Sequence, residues 1–228
     1  MGNSVTAIIL AAGCGNRMKL NITKQKILIS DETVLRRSVR IFNECSDVDQ
    51  IIIVTRSDEV DFATEQARGL QKVKNIVVGG ETRAESAKIG FMASDADYVA
   101  IHDAARCFVT GDIISTVISD AKKYGAATAS SRVTDSVKIV DQSNFVSASV
   151  DRSTLRSTQT PQVFSSELYK KALDSADISD PRITDDNALL ELIGVHSYCS
   201  DTGNRNIKLT TPEDLSLVGY LINGENNE

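Results

Sequence analysis

The sequence predicts an α/β fold, a doubly wound and mostly parallel sheet with helices on both faces. Three observations predict it. Short Val/Ile-rich runs recur at residues 5–10, 51–54, 76–78 and 98–101, as in strands buried on both sides. Between them, residues 33–45, 57–70 and 82–93 carry apolar side chains at helical spacing. The first run ends in a small-residue turn, Ala11-Ala12-Gly13-Cys14-Gly15, with Arg17 and Lys24 beyond it. Alternating strands and helices imply right-handed βαβ crossovers.

Taken in order, residues 5–10 are continuously apolar and form the first strand. Leu35, Val39 and Phe42 share one face of the helix over 33–45. A fifth strand is expected at 126–130. The pattern then changes: Val137, Ile139, Val146, Ala148 and Val150 alternate with polar residues around Asp141-Gln142-Ser143-Asn144. This predicts a β-hairpin leaving the main sheet, over 133–152. A two-stranded hairpin is marginal alone, so it is expected to pack against another subunit. Helices are expected at 165–176 and 184–193. The stretch from Asn206 reads as a strand, then a helix with Pro212 in its first turn. Residues 224–228 are expected to fray. The chain contains no internal repeat, and residues 1–228 are read as one domain with the hairpin as an excursion.

Composition narrows the function. Of 228 residues 25 are basic and 31 acidic, a formal charge of −6, which argues against a nucleic-acid partner. An anionic ligand must therefore be held by a local cluster of cations. Cys14, Cys45, Cys107 and Cys199 form no C-x-x-C pair, and no secretory signal precedes them, so a reduced cytoplasmic protein is expected. The apolar run 7–12 is too short to span a bilayer, and no membrane partner is expected. Met1-Gly2 opens a myristoylation-like pattern that runs into the first strand, and Asn21-Ile22-Thr23 is a sequon without a secretory context.

Ligands of doubly wound sheets bind beyond the carboxyl ends of the strands. Residues 11–24, 79–86 and 102–106 each follow a strand, so they are expected to line one pocket. The glycine turn taken alone is a tight connection. It lacks the third glycine of a dinucleotide fingerprint, with Met18 in that place, and the chain has no G-x-x-x-x-G-K-[ST]. Arg17 and Lys24 make it a phosphate cradle, one offering a bidentate fork and the other a point charge. In Gly79-Gly80-Glu81-Thr82-Arg83-Ala84-Glu85-Ser86, the glycines let a flat ring approach the backbone, while Arg83 and Ser86 share a helix face. Asp103 is placed to hold Mg²⁺ or to cap a helix. His102 beside it reads as structural.

These blocks together resemble the 2-C-methyl-D-erythritol 4-phosphate cytidylyltransferase family of isoprenoid precursor synthesis. The resemblance rests on Leu10 to Met18, Lys24-Gln25, Gly79 to Ser86, His102-Asp103-Ala104-Ala105-Arg106, Asp151-Arg152, Thr160-Pro161-Gln162 and Asn206 to Asp214. It implies a Rossmann-like nucleotidyltransferase fold with a β-hairpin dimerisation arm, CTP as co-substrate, Mg²⁺ and a homodimer. It further implies that Ala11, Ala12, Gly13, Gly15, Arg17 and Lys24 cradle the CTP phosphates. Gly80, Arg83 and Ser86 would surround cytosine, and Asp103 would hold Mg²⁺ with Ala105 nearby. Arg106, Ser136, Arg152, Thr160 and Lys208 match sugar-phosphate positions, with Ser136 and Arg152 serving a neighbouring subunit. Arg17, Lys24, Arg152 and Lys208 would carry catalysis.

The sequence departs from the family pattern at four places. Thr23 replaces the usual proline before Lys24-Gln25, and Lys26 replaces an aromatic residue after it. Cys107 stands for a proline and Ser136 for a threonine. Thr23 and Lys26 are expected to loosen the loop that carries Lys24. Three other readings stay open on the residues: a ribitol-5-phosphate cytidylyltransferase, a glycosyltransferase using a nucleotide sugar through Asp95-Ala96-Asp97, and a non-catalytic nucleotide-binding module.

Overall fold

Six consecutive apolar or small side chains can all be buried only in a strand flanked on both sides and covered on both faces, and β1 (Val5–Leu10) is such a strand. The computed structural model describes residues 3–13, 22–178, 180 and 182–217. In it β1 lies between β4 (Gln50–Thr55) and β6 (Tyr98–Asp103), parallel to both, with Ile8 opposite Ile52 and Ile101. β5 (Val73–Val78), β7 (Ala126–Arg132), β10 (Arg156–Ser165) and β11 (Tyr198–Asp201) complete a seven-stranded sheet in the order β11-β7-β10-β6-β1-β4-β5. Only β10 runs against its neighbours, β6 and β7, so the sheet is mostly parallel as expected.

The side-chain alternation of the strands builds two cores. Val5, Ala7, Ile9, Ile51 and Ile53 pack on one face with α1 (Val34–Glu44), α2 (Val60–Ala67) and α4 (Gly111–Tyr124). Ile8, Leu10, Ile52 and Val54 pack on the other with α3 (Arg83–Met92), α5 (Ser166–Ser175) and α6 (Asp186–Glu191). Leu35, Val39 and Phe42 of α1 are buried, as their spacing required. α4 stops where Gly125 takes φ +88°, a left-handed position that a side chain resists.

Several elements differ from the sequence reading. α4, β10 and β11 are additional, as is a two-residue hairpin of β2 (Leu28–Ile29) and β3 (Glu32–Thr33). The stretch from Asn206 joins no sheet. It crosses the strand ends as extended chain, with Leu209 N–H donating to the Ala105 carbonyl at 2.9 Å. The backbone turns at Pro212 and is helical over 214–217. The hairpin is present as β8 (Lys138–Val140) and β9 (Val146–Ser149), antiparallel and exposed along its length.

α3 lies close enough to the sheet that Gly90, in its last turn, has no room for a side chain. A Cβ on Gly90 would sit 2.4 Å from Ile8 Cγ2 and 2.9 Å from Val54 Cγ2, both rigid core groups. Gly90→Ala is therefore expected to destabilise the fold by about 1–3 kcal/mol despite alanine's better helix propensity. Urea denaturation measures this, and a variant as stable as the parent would show that α3 can retreat.

Candidate active site

The C-terminal ends of β1 and β6 and the start of α3 surround a cavity of ≈ 360 Å³. Ala12, Gly13, Lys24, Gln25, Gly80, Arg83, Ser86, Asp103, Ala105 and Lys208 line it, with Leu10, Glu81 and Thr82. The three post-strand segments thus meet at one place, joined by Lys208 from the extended C-terminal stretch.

Local chemistry shapes each wall. α3 opens with a capping box: Thr82 accepts from the Glu85 N–H, and the Glu85 carboxylate accepts from the N–H groups of Glu81 and Thr82 at 2.7 and 3.1 Å. Ser86 accepts from the Gly80 N–H at 3.2 Å. The loop is too tight for side chains, since a Cβ on Gly79 would meet Ser86 Oγ at 2.7 Å and Ala12 Cβ at 2.8 Å. Lys24 sits on a 3₁₀ turn, Lys24–Lys26, and its buried Nζ donates to the Leu209 carbonyl at 3.3 Å. Gln25 donates to the Ala11 carbonyl at 2.8 Å, tying that turn to the end of β1.

Charge in the cavity is arranged as an alternating chain. Lys208 Nζ lies 2.5 Å from Asp103 Oδ2, and Arg83 Nε lies 3.0 Å from Asp103 Oδ1. The other end of the guanidinium lies 2.7 Å from Asp186 Oδ2, and Asp186 Oδ1 accepts from the Tyr169 hydroxyl at 2.7 Å. Burial alone would raise the Asp103 pKa, but the charges of Arg83 and Lys208 outweigh it and hold the carboxyl well below its usual range. Burial alone would lower the Arg83 pKa. Asp186 and Asp103 reverse that and raise its pKa. Burial, reinforced by Asp186, raises the Tyr169 phenol, which stays a donor. Removing one member of such a chain strands a buried charge, at a cost of about 3–5 kcal/mol.

His102 is fully buried behind this chain, against the Phe42 ring at 4.8 Å. Thr160 Oγ1 accepts from the Asp103 N–H at 3.1 Å and lies 3.0 Å from His102 Nδ1. The Arg106 carbonyl, 3.3 Å from Nε2, can only accept, so Nε2 carries the proton of the neutral ring and Nδ1 accepts from the Thr160 hydroxyl. Burial, the largest effect, pushes the imidazole down to about 3.

The remaining expected site residues lie elsewhere. Gly15 and Arg17 fall outside the described residues. Ala11 is buried below the cavity and contributes backbone bonds, its N–H donating to the Val54 carbonyl at 2.7 Å. Thr160 is buried, with its hydroxyl turned to the backbone and His102 rather than to the cavity. Arg106 is half-buried and donates to the Asn206 carbonyl at 2.8 Å. Burial lowers its pKa, and its Nε finds no partner among the described residues. Ser136 and Arg152 are exposed at the base of the hairpin, where Arg152 donates to the Thr134 carbonyl. Asp97 accepts from Ser4 N–H and Oγ at 2.9 and 2.6 Å, at the opposite end of the sheet from the cavity. That placement removes the basis of a D-x-D metal motif. The loosening expected from Thr23 and Lys26 is corrected too: both bond to Glu59, at 2.7 and 3.2 Å. Asp186, Tyr169 and Glu59 carried no sequence signal beyond helical context.

Comparison with known proteins decides the family. A family model described as 2-C-methyl-D-erythritol 4-phosphate cytidylyltransferase (IspD) matches residues 5–223. The chain belongs to this family. A relative named 2-C-methyl-D-erythritol 4-phosphate cytidylyltransferase from Clostridium acetobutylicum is 39% identical over 95% of this chain and 96% of its own. One of the same name from Clostridium tetani is 37% identical over 97% and 91%. Among solved structures, 4-diphosphocytidyl-2C-methyl-D-erythritol synthase from Anaerococcus prevotii superposes with a TM-score of 0.86 at 27% identity, covering 97% of each chain. The Francisella tularensis family member gives 0.79 at 27% identity, covering 96% of this chain and 99% of that one.

A divalent cation is implied by the family, and the donor set can be tested against it. Among the described residues no three His, Cys, Asp or Glu side chains converge. Asp103 is the buried carboxylate of the cavity, with each oxygen already accepting from one cation. Mg²⁺ is often held by one or two carboxylates while substrate phosphates and water supply the rest. A carboxylate oxygen retains a second lone pair, so Asp103 fits an ion arriving with a nucleotide, not one caged by the protein alone.

The His102 environment makes a pH prediction. The unfolded chain takes up a proton here near pH 6.5, whereas the native imidazole resists it down to about 3. The contribution of His102 is therefore complete above pH 6.5 and declines by about 1.4 kcal/mol per unit as pH falls below it. Urea denaturation at pH 7, 6, 5 and 4 is expected to give a shallower decline for His102→Asn than for the parent chain. Parallel declines would show that His102 is protonated in the native state.

Proposed function

We propose that this chain transfers CMP from CTP to 2-C-methyl-D-erythritol 4-phosphate and releases pyrophosphate. The reading rests on family membership and on one observation: a cavity at the strand ends in which Asp103 is held ionised between Arg83 and Lys208. A phosphate oxygen of the sugar phosphate attacks the α-phosphorus of CTP, and the bond to the bridging oxygen of pyrophosphate breaks. The nucleophile is already a dianion near pH 7, because the second pKa of a phosphomonoester is about 6. No general base is needed. His102 could not serve as one, since both ring nitrogens face protein partners and the ring is buried.

The remaining problem is electrostatic, because two anions must meet in line. Lys24 and, outside the described residues, Arg17 offset the triphosphate charge, with Ala12, Gly13 and Gly15 leaving its oxygens room to approach the backbone. Gly80, Arg83 and Ser86 take the cytosine, with Ala105 also lining the cavity. Lys208, Arg106 and Arg152 orient the sugar phosphate, and Thr160 holds the strand end that carries Asp103. When bound, Mg²⁺ at Asp103 neutralises phosphate charge.

The hairpin is assigned to a homodimer in which each arm reaches the neighbouring subunit. Ile139, Val140, Phe145 and Val146 are each at least half exposed on it, an apolar surface that a lone two-stranded ribbon does not bury. Ser136 and Arg152 at its base then serve the neighbour's cavity.

Two measurements test this reading. Pyrophosphate release from CTP is expected with 2-C-methyl-D-erythritol 4-phosphate and at least tenfold slower with ribitol 5-phosphate at equal concentration. The reverse preference would move the chain to the ribitol reading, and no release with either would favour the non-catalytic one. Phe145→Asp is expected to halve the mass seen by sedimentation equilibrium at micromolar concentration. An unchanged mass would detach the hairpin from the dimer.

A further inference from the structure

Glu59 ends a 3₁₀ turn, Ser57–Glu59, at the carboxyl end of β4, and is only 2% exposed. Its Oε1 accepts from Thr23 Oγ1 at 2.7 Å and lies 3.2 Å from Lys26 Nζ. The Lys26 ammonium also stands 5.2 Å from the centroid of the Phe62 ring, one turn along α2. Glu59 Oε2 is buried without a partner among the described residues. A buried carboxylate with one bare oxygen is a costly way to fill space, where an apolar side chain would serve the packing better. What this carboxylate does is hold both flanks of the turn that carries Lys24. Within the turn itself, Lys26 N–H donates to the Thr23 carbonyl and Ile27 N–H to the Lys24 carbonyl, at 3.0 and 3.2 Å.

We infer that Glu59 is a positioning residue for nucleotidyl transfer: through Thr23 and Lys26 it clamps the Lys24–Lys26 turn and keeps Lys24 at the nucleotide cavity. The inference rests on the reading of Lys24 as a phosphate-binding cation. It accounts for the two positions flanking Lys24-Gln25 at which the sequence departs from the family pattern. A proline at 23 would fix φ covalently, and Thr23 already has φ −71°, within proline's range. Here a hydrogen bond and an ion pair from a neighbouring connection do that work instead. Both donors converge on one oxygen, so the two departures form a single unit with Glu59.

The test pairs a structural readout with a kinetic one in the intact enzyme. Glu59→Gln keeps the shape and removes the charge. Hydrogen exchange over residues 22–29 is expected to quicken by about tenfold, with exchange in β1 and β4 unchanged, as in local opening. CTP turnover, read as kcat/KM, is expected to fall by about tenfold, the scale of one charge-assisted hydrogen bond. Adding Lys26→Met to Glu59→Gln is expected to cost little more, because the two act through one contact. Adding Thr23→Pro is expected to restore much of both the exchange protection and the turnover. Unchanged exchange over 22–29 in Glu59→Gln, or full additivity with Lys26→Met, would overturn the clamp. Lys24→Ala, assayed alongside, separates the two layers. Full CTP turnover in that variant would defeat the role given to Lys24, while the exchange data still judge the clamp.

Discussion

Two lysine and arginine charges cannot sit in a half-buried cavity without anions of their own, and this requirement organises the site. Asp103 answers it for Lys208 and for one edge of Arg83, and Asp186 answers it for the other edge. The chain of contacts runs from the extended C-terminal stretch, through the end of β6 and the start of α3, to the start of α6. Four segments distant in sequence are thereby fixed by charge at one place. Each ion gives up part of its hydration for the next one in line, so the contacts couple these segments to one another.

This arrangement also sets the resting charge of the cavity. Lys208, Asp103, Arg83 and Asp186 sum to zero, and the other charged residues described along the cavity, Lys24 and Glu81, are of opposite sign. An entering ligand therefore meets a pocket whose charged groups are already oriented by one another. Preorganised dipoles and charges of this kind act without reorganising when charge develops in the reaction. His102 and Thr160 contribute from beneath by fixing the strand end that carries Asp103.

Much of this was legible in the sequence, for identifiable reasons. The buried strands wrote themselves as Val/Ile runs, and the rule that ligands sit at strand ends brought Gly80, Arg83, Asp103 and Ala105 to one cavity. β10 was hidden because its segment is Arg-Ser-Thr-Gln-Thr-Pro-Gln before Val163, polar enough to read as loop. Gln159, Thr160 and Gln162 are buried in it because they bond to neighbouring elements, as Gln162 does to Asp185 and Asp186 N–H. Asp186 was hidden by its position. Asp185 and Asp186 both look like helix-start acids, yet Asp185 caps α6 by accepting from the Ala188 N–H while Asp186 turns inward to Arg83. Thr23 and Lys26 were misread because their partner, Glu59, is 36 and 33 residues away and local pattern says nothing about it. The helical spacing of Ile114, Val117, Ile118 and Ala121 in α4, by contrast, carries a full signal.

The lone antiparallel strand has a consequence for how the protein is made. β10 occupies the gap between β6 and β7, but both of those strands leave the ribosome before it does. Until residue 165 is available, the nascent chain carries a half-sheet of β5, β4, β1 and β6 with an open edge at β6, and beside it β7, whose two neighbours β10 and β11 are both still to come. Such edges invite pairing with other chains. Closing them needs contacts far apart in sequence, the slow kind. The hairpin emerges inside that interval, just before the strand that seals the sheet. The period in which this chain is most exposed to wrong partners is thus also the period in which its apolar ribbon first emerges.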